Sequence, residues 1–556
     1  MSQGLRKNNR RFLRLLWFGA ILVTVKSIFT DFGVDNGYAV ATSYRHISGD
    51  RMFWEMWEPH QTSSFLVDIL MLIYRVFVPS FTGVAIYLQV MGVLLWIPIL
   101  FVLHKELSKH IDKDISHLIC IFLLVFRAKQ TVFPEFSNMQ IGFSALFFVF
   151  MIKFICDQTQ WKHLILAAVF LCLEIISYPT CIIAYAAAVG ILLAYTARKG
   201  RNVLVFSGVC AVLGTLYVGY FILTRGLTGF GEVLSLLIRA DASHTGVSMS
   251  LSQYFQVFLE GAAYMAVILA IAAVIWFLLR RRRDIAFLEV FGVTLLLVTG
   301  AALLLWIGGR GGASEWHYCI AAVLLIMLGW GGRRLLTDTE RKIWISGILI
   351  SVSSFFAVAV LTNCALMSVA AYLSLAAAVS MIPLSRLRKG FFCAGAVLLF
   401  VLLHRGLITC GYNQVARHTF VSELESIVRV GPAAGILCDD NTSCVYRDNV
   451  TDFESFIEPE DSVYFIAWWG YDPLYYVQAG VDVSASSVIS SPTYGEYQVD
   501  YWSRYDDKVP TVIAVTCYND QLMIAQHEWQ AISEWMEGRY TWAGDGVWWR
   551  YYRVKE

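Results

Sequence analysis

Charge is what this chain has least of. Only 15% of its 556 residues are Asp, Glu, Lys or Arg, against about a quarter in a soluble globular protein. Hydrophobic residues make up 57% and the mean hydropathy is +0.59, which excludes an ordinary soluble domain and predicts an integral membrane protein. Basic excess is lacking too: the net charge of +1 gives no electrostatic footprint for nucleic acid, and that partner is set aside. The 12 Cys form no CxxC pair and no Cys/His cluster at zinc-ligand spacing. Most stand singly inside apolar runs, where Cys acts as a small hydrophobe. No cofactor and no metal ligand is therefore assigned, and a divalent metal requirement stays open. The start, "MSQGLRKNNRRFLRLLWFGAILVTVKSIF", has the basic-then-apolar order of a signal peptide but no small-x-small cleavage site, so it is expected to remain as a first span.

What is present is long apolar runs. At about 20 residues per crossing, spans are expected near 12–29, 82–103, 115–127, 140–156, 163–178, 180–197, 203–223, 257–279, 285–307, 317–330, 343–361, 366–382 and 391–409. The connections alternate in charge, with 24 basic residues on one side and 8 in the short connections of the other. The positive-inside rule then puts the N-terminus in the cytoplasm and, after thirteen spans, the C-terminus outside. The expected division is a membrane module over 1–410, with a first external loop at 30–81, and an extracytoplasmic α/β domain over 411–556. In that tail "AAGILCDD", "DSVYFIAWWG" and "PTVIAVTCY" read as strands, "NDQLMIAQHEWQAISEWMEG" as a helix and "YTWAGDGVWWRYYRV" as a hairpin. Cys438 and Cys444, on the oxidising side, either pair or stay free. "NTS" and "NVT" match glycosylation sequons.

The first external loop, "VDNGYAVATSYRHISGDRMFWEMWEPHQTSSF", is unusually polar for this chain. Asp35 reads as a helix N-cap and Gly49 as the stop, giving a short amphipathic helix on the outer surface. Asp50, Glu55, Glu58 and His60 follow among Trp54 and Trp57, and "TSSFLVDILMLIYRVF" is too short and too charged for a full span. Together they form a platform suited to a substrate with a lipid tail and a polar head.

"DNGYAVATSYRHISGD" followed by "WEPHQTSSFLVDILMLIYRVF" resembles the first external loop of the GT-C superfamily of membrane glycosyltransferases, which includes protein O-mannosyltransferases and the aminoarabinose transferase of lipid A. That loop carries an Asp, usually in Asp-Glu, then a Tyr, a helix closing at Gly-Asp and a Pro-containing turn before a hydrophobic helix. The resemblance covers roughly the first 200 residues, and the rest by architecture. It implies an inverting transferase of the cell envelope that takes a polyprenyl-phosphate-linked sugar and delivers it to a glycan, lipid or protein acceptor. The loop Asp would be the catalytic base, here Asp35, with Asp31 as a substitute; Asn36 stands where the family has Glu.

Such a transfer needs a carboxylate for the hydroxyl proton and cations for the leaving phosphate. "WIGGRGGASEWHY" sets Arg310 between glycine pairs, followed by Glu315 and His317. Glycine lets backbone N–H groups approach an anion, and Arg binds phosphate bidentately; the other reading is a flexible turn. Lys26 and Arg51 are further phosphate candidates, although Lys26 also suits snorkelling to the interface. Glu135, in "FPEFSNMQIGF", either matches an acidic position of the family or starts a helix. Glu58 and His60 either shape the acceptor site or hold the turn together. Glu174, inside the membrane, either lines a cavity or pairs across a helix break. The tail's "AWWGYDPLYY" suits core or interface better than glycan stacking. Two rivals remain beside the transferase: a flippase for lipid-linked glycans, which should show repeats that are not found, and a non-catalytic surface-assembly protein.

Overall fold

The structure is a computed structural model, and it describes residues 3–58, 60–128, 131–244, 251–280, 284–305, 314–361, 370–410, 418–467, 473–490, 492–518, 521–522 and 529–555. Among the described residues sixteen α-helices precede the sheet: α1 Gln3–Thr30, α2 Val34–Ile47, α3 Phe65–Arg75, α4 Val84–Leu107, α5 Lys113–Val125, α6 Phe136–Cys156, α7 Trp161–Ser177, α8 Ala184–Tyr195, α9 Lys199–Arg225, α10 Leu227–His244, α11 Leu251–Leu279, α12 Phe287–Leu305, α13 Ser314–Gly332, α14 Asp338–Leu361, α15 Ser374–Ser385 and α16 Gly390–Leu407. Every expected span falls on one of these helices. Six are long and apolar enough to cross a membrane among the described residues: Asn9–Thr30, Val84–Leu107, Phe136–Cys156, Lys199–Arg225, Asp338–Ala359 and Gly390–Leu407. The chain is thus a multi-pass membrane protein. The stretch 225–256, expected from the spacing of the spans to be an outward-facing loop, contains α10, in which Phe230, Val233 and Leu237 share one helix face and pack inward.

Burial differs sharply among the spanning helices. α6 is buried over 72% of its apolar window and lies at the centre, whereas α9 is buried over only 6% and lies at the rim. Beside α6, α4 approaches very closely: a Cβ at Gly92 would collide with the Val132 carbonyl. Glycine at that position lets α4 press against the segment leading into α6.

The two ends of the bundle differ in chemistry. At one, Lys109 and His110 meet Glu106 (2.6 and 3.1 Å), Arg386 meets Glu340, Arg388 meets Asp284 (2.5 Å) and Lys389 meets Glu289 (3.3 Å). The first half of α1 belongs to this end, with Phe12 stacked on Phe392. At the other end α2 through Tyr44, the turn before α4 through Gly83 and the α9–α10 junction through Arg225 meet the C-terminal segment. The segments carrying Asp284 and Glu289, Glu340, and Arg386, Arg388 and Lys389 thus lie together at one end.

After α16 come β1 Ile408–Cys410, β2 His418–Phe420, β3 Ser426–Ile427, β4 Leu437–Cys438, α17 Asp440–Phe456, β5 Ser462–Ile466, α18 Tyr475–Ala479, β6 Asp482–Val483, α19 Pro492–Arg504, β7 Val512–Tyr518, β8 Gln521–Leu522, α20 Gln530–Met536, β9 Tyr540–Asp545 and β10 Trp549–Val554. The main sheet runs β6-β5-β7-β10-β9, with β8 paired to β7; β5 is parallel to β6 and β7, and β10 is antiparallel to β7 and β9. The "VYFI" and "VIAVTCY" runs are thus central strands, and residues 540–554 form the expected hairpin. "AAGILCDD" gives only β4, paired with β3 outside the main sheet. Of the expected helix over 519–538, the described part is β8 and the seven-residue α20. Cys438 and Cys444 are both free thiols.

Candidate functional site

α2 is capped two residues earlier than the sequence suggests. Gly33 is the N-cap, and its N–H donates to Asn36 Oδ1 at 2.7 Å. Asn36, three positions on, thus closes the cap that was expected of Asp35. Asp35 sits instead in the first turn, half-buried, where its charge faces the positive end of the helix dipole. α2 ends at Ile47, and Gly49 follows at φ +125°, as the expected stop requires.

The same Asn36 reaches across to the next segment. Its Nδ2 donates to Thr131 Oγ1 at 3.3 Å, and Asn138 Nδ2 donates to that hydroxyl and to the Thr131 and Phe133 carbonyls at 3.1–3.2 Å. Glu135, fully buried, is the N-cap of α6 and accepts from the Ser137 and Asn138 N–H groups at 2.7 and 2.9 Å. The starts of α2 and α6 are therefore fastened to each other, with Asp35 on one and Glu135 on the other. His60 adjoins them, stacked on Phe136 (4.2 Å between ring centres) and tilted against Tyr178 (4.8 Å). Tyr38 and Tyr372 complete this aromatic wall through Phe136 and Tyr178.

Other acids of the opening stretch are engaged elsewhere. Asp31 is fully buried: Arg405 Nη2 lies 2.9 Å away, Lys26 Nζ 3.4 Å, and the Thr30 and Thr409 hydroxyls donate to it. Burial acts to raise its carboxyl, but Lys26 and Arg405, with hydroxyl donors, hold it below the ordinary carboxylate value. Lys26 also donates to the Arg405 and Ile408 carbonyls, so it turns inward instead of snorkelling. Glu58, also fully buried, accepts from Arg45 (3.2 Å), the Ser487 hydroxyl (2.7 Å) and the Val488 N–H (2.8 Å). Burial leaves its carboxyl above the ordinary value despite those donors. Asp50 bonds to Arg45 and Lys508, Asp68 to His46, and Glu55 to Arg51. Arg51, largely exposed, lies over Trp54. Its place is beside Glu55 and Trp54.

Arg310 lies outside the described residues, as do the side chains of Glu315 and His317. Glu174 is buried within α7 and accepts from Gln140 (2.6 Å, on α6) and Ser354 (2.7 Å, on α14), so its partners come from two neighbouring helices and not from across a helix break. Among the described residues no group of three or more His, Cys, Asp or Glu could hold a metal ion. The sequence reading passed over Thr131, Asn138 and Tyr372. Asn138 follows Glu135 within the quoted motif, but Tyr372 carries no local signal, because only the packing of α14 and α15 brings it to Tyr178.

No family model matches the chain, and no curated protein does. Among solved structures it is similar to ArnT from Cupriavidus metallidurans bound to undecaprenyl phosphate, at 11% identity over 97% of each chain, with a TM-score of 0.42. A score of that size carries neither fold nor function across.

Proposed function

We propose that the chain is a GT-C-like membrane glycosyltransferase that moves a sugar from a polyprenyl-phosphate donor to an acceptor hydroxyl. The observation that carries this reading is the half-buried Asp35, in the first turn of α2 and fastened through Asn36, Thr131 and Asn138 to the Glu135-capped start of α6.

In the proposed reaction the acceptor hydroxyl gives its proton to the Asp35 carboxylate and its oxygen attacks the anomeric carbon. The bond from that carbon to the lipid phosphate breaks, and the phosphate leaves with the electron pair. A single displacement inverts the anomeric centre. Arg310 holds the leaving phosphate, and the His60–Tyr178–Tyr372 wall offers ring faces to the sugar. Glu135 positions the start of α6, Glu58 and Arg51 shape the outer face of the opening stretch, and Asp31 with Lys26 anchors its root. His317 belongs with Arg310. The α2 end of the bundle faces outside, and residues 411–556 form an extracytoplasmic α/β domain that roofs the site; a periplasm-active or surface-active reporter fused after Glu556 should then be active.

The test is transfer from a radiolabelled polyprenyl-phosphate sugar by the purified chain and by Asp35→Asn. Asn keeps the shape and loses the proton acceptor, so transfer should fall by about 10²–10⁴-fold with donor binding intact. Near wild-type transfer by Asp35→Asn would remove Asp35 from the chemistry.

A further inference from the structure

Glu174, which the proposed reaction leaves unused, sits where a negative charge is least favoured. It lies in the last turn of α7, at the negative end of the helix dipole, and that turn carries no basic residue. The side chain is fully buried in the bundle, and among the described residues no Lys, Arg or His is bonded to it. A buried carboxylate without a counter-ion is costly, most of all within a membrane.

Its hydrogen bonds gather on one oxygen. Gln140 Nε2 on α6 and Ser354 Oγ on α14 both donate to Glu174 Oε1, at 2.6 and 2.7 Å. Glu174 Oε2 is buried with no hydrogen-bond partner, and so is Oε1 of Gln140. Both orphaned atoms are acceptors on side chains that touch each other, and the buried Ser144 hydroxyl, one turn along α6, lies close to the same carboxyl. A proton on Glu174 would cancel the charge but leave Gln140 Oε1 without a partner. A water would donate to both oxygens but leave the charge. One cation meets both needs, at a helix C-terminal end of the kind that coordinates sodium in membrane proteins. A single carboxylate among neutral oxygens suits a hard monovalent ion. A divalent or transition metal takes more carboxylates or imidazoles, and the adjoining Cys181 thiol is too soft a donor for a hard ion.

The same residues underlie the aromatic wall. Gln140 follows Phe136 by one turn of α6, the Glu174 carbonyl accepts the Tyr178 N–H at 2.9 Å, and Ser351, one turn before Ser354, donates to the Tyr372 carbonyl at 2.6 Å. We infer that a small monovalent cation of the sodium class binds between Glu174, Gln140, Ser144 and Ser354 and clamps α6, α7 and α14 beneath Phe136, Tyr178 and Tyr372. The inference does not depend on the transfer reading, since Asp35 takes no part in the site.

The experiment is equilibrium binding of radiolabelled Na⁺ to the full chain in detergent, joined to thermal unfolding in NaCl against choline chloride at equal ionic strength. Wild-type protein should bind Na⁺ saturably, and its unfolding temperature should rise with NaCl and not with choline chloride, as mass action requires of a ligand held by the folded state. Hydrogen exchange over 174–181 should slow in Na⁺. Glu174→Gln keeps the shape and loses the charge, so it should weaken Na⁺ binding about tenfold or more and remove the thermal response. Gln140→Leu and Ser354→Ala should each weaken binding several-fold, which keeps the site under test if one variant fails to fold. Absence of saturable Na⁺ binding by wild-type protein would overturn the inference. So would an equal thermal rise in choline chloride, which makes the effect one of ionic strength, or unchanged Na⁺ affinity in both Glu174→Gln and Ser354→Ala. Exchange that slows only outside 174–181 would place the ion elsewhere and overturn it as well. Saturable Na⁺ binding without sugar transfer would sink the transferase and leave this site standing, and transfer without Na⁺ binding would do the reverse.

Discussion

Arg405 Nη2 lies 2.9 Å from Asp31 Oδ2, joining residues 374 positions apart at the point where α16 leaves the bundle and α1 ends. Both side chains are buried to within 1%, and Ser27, Thr30, Thr409 and Lys26 add further bonds. Removing one partner of such a pair strands the other charge, at about 3–5 kcal/mol, whereas replacing both by apolar residues is far milder. Arg405→Leu should therefore lower the thermal unfolding temperature in detergent strongly, and Asp31→Leu with Arg405→Leu should recover much of it. A double variant as unstable as the single one would mean that the pair does not act as a unit.

Asp31 also sets a pH dependence. Its folded carboxyl is held below the ordinary value of 3.8, so the unfolded chain takes up that proton first as pH falls. The stabilisation is complete above the ordinary value and is lost as pH falls through the folded one. Glu58 acts in the opposite sense. Its folded carboxyl lies above 4.5, so its contribution is present below the unfolded value and declines as pH rises through the folded one. Unfolding temperatures taken from about pH 3 to about pH 6 should show an acid-side loss that Asp31→Asn removes and an opposing slope that Glu58→Gln removes. If both variants parallel the wild type, other groups govern the acid limb.

Arg45 joins the opening stretch to the C-terminal segment. It donates to Asp50, Glu58, the Glu55 and Ser486 carbonyls and the Tyr501 hydroxyl, at 2.5–3.2 Å, while Glu58 accepts from Ser487 and Val488. Arg45→Met should cost about 3–5 kcal/mol by leaving Glu58 buried without its cation, and hydrogen exchange over 484–505 should speed up. Glu58→Gln keeps an oxygen for Val488 and should be milder. Exchange unchanged in Arg45→Met would show that other contacts hold the segment.

The helices were legible because apolar runs of spanning length have few other fates: each expected span lies on a helix. α10 escaped because Gly229 and Gly231 break its pattern at the start, where the packing of Phe230 against Phe53 and Phe221 decides the matter. In the tail, β5 and β7 were readable as continuous apolar strands, while β4 and α20 were overestimated from local composition alone. For the candidate site the sequence offers residue types, and the partners of those residues are illegible in it. Asp31 and Asp35 look alike in sequence, four positions apart, and differ only because Arg405 and Thr409 arrive from the far end of the chain. Asn36 looked like a loss relative to the Asp-Glu pattern, yet its amide both accepts and donates, which a carboxylate cannot do.

That dual bonding yields a last prediction. Asn36 Oδ1 closes the Gly33 cap, and Asn36 Nδ2 holds Thr131, so the residue sets where the start of α2 sits relative to the start of α6. Asn36→Ala loses a cap contact worth about 1 kcal/mol and a buried hydrogen bond of about 1 kcal/mol, so stability should fall by about 2 kcal/mol. Asn36→Asp keeps an acceptor for Gly33 but has no N–H for Thr131, and should fall by about half as much. If Asp35 is the base, its alignment is loosened in both variants, so the transfer rate should drop further than donor affinity does. Asn36→Glu would test the family pattern directly: a longer carboxylate at that position should loosen the junction here, not improve it. Wild-type stability in Asn36→Ala would mean that the two helix starts are held together by the aromatic wall alone, and the placement of Asp35 would then owe nothing to Asn36.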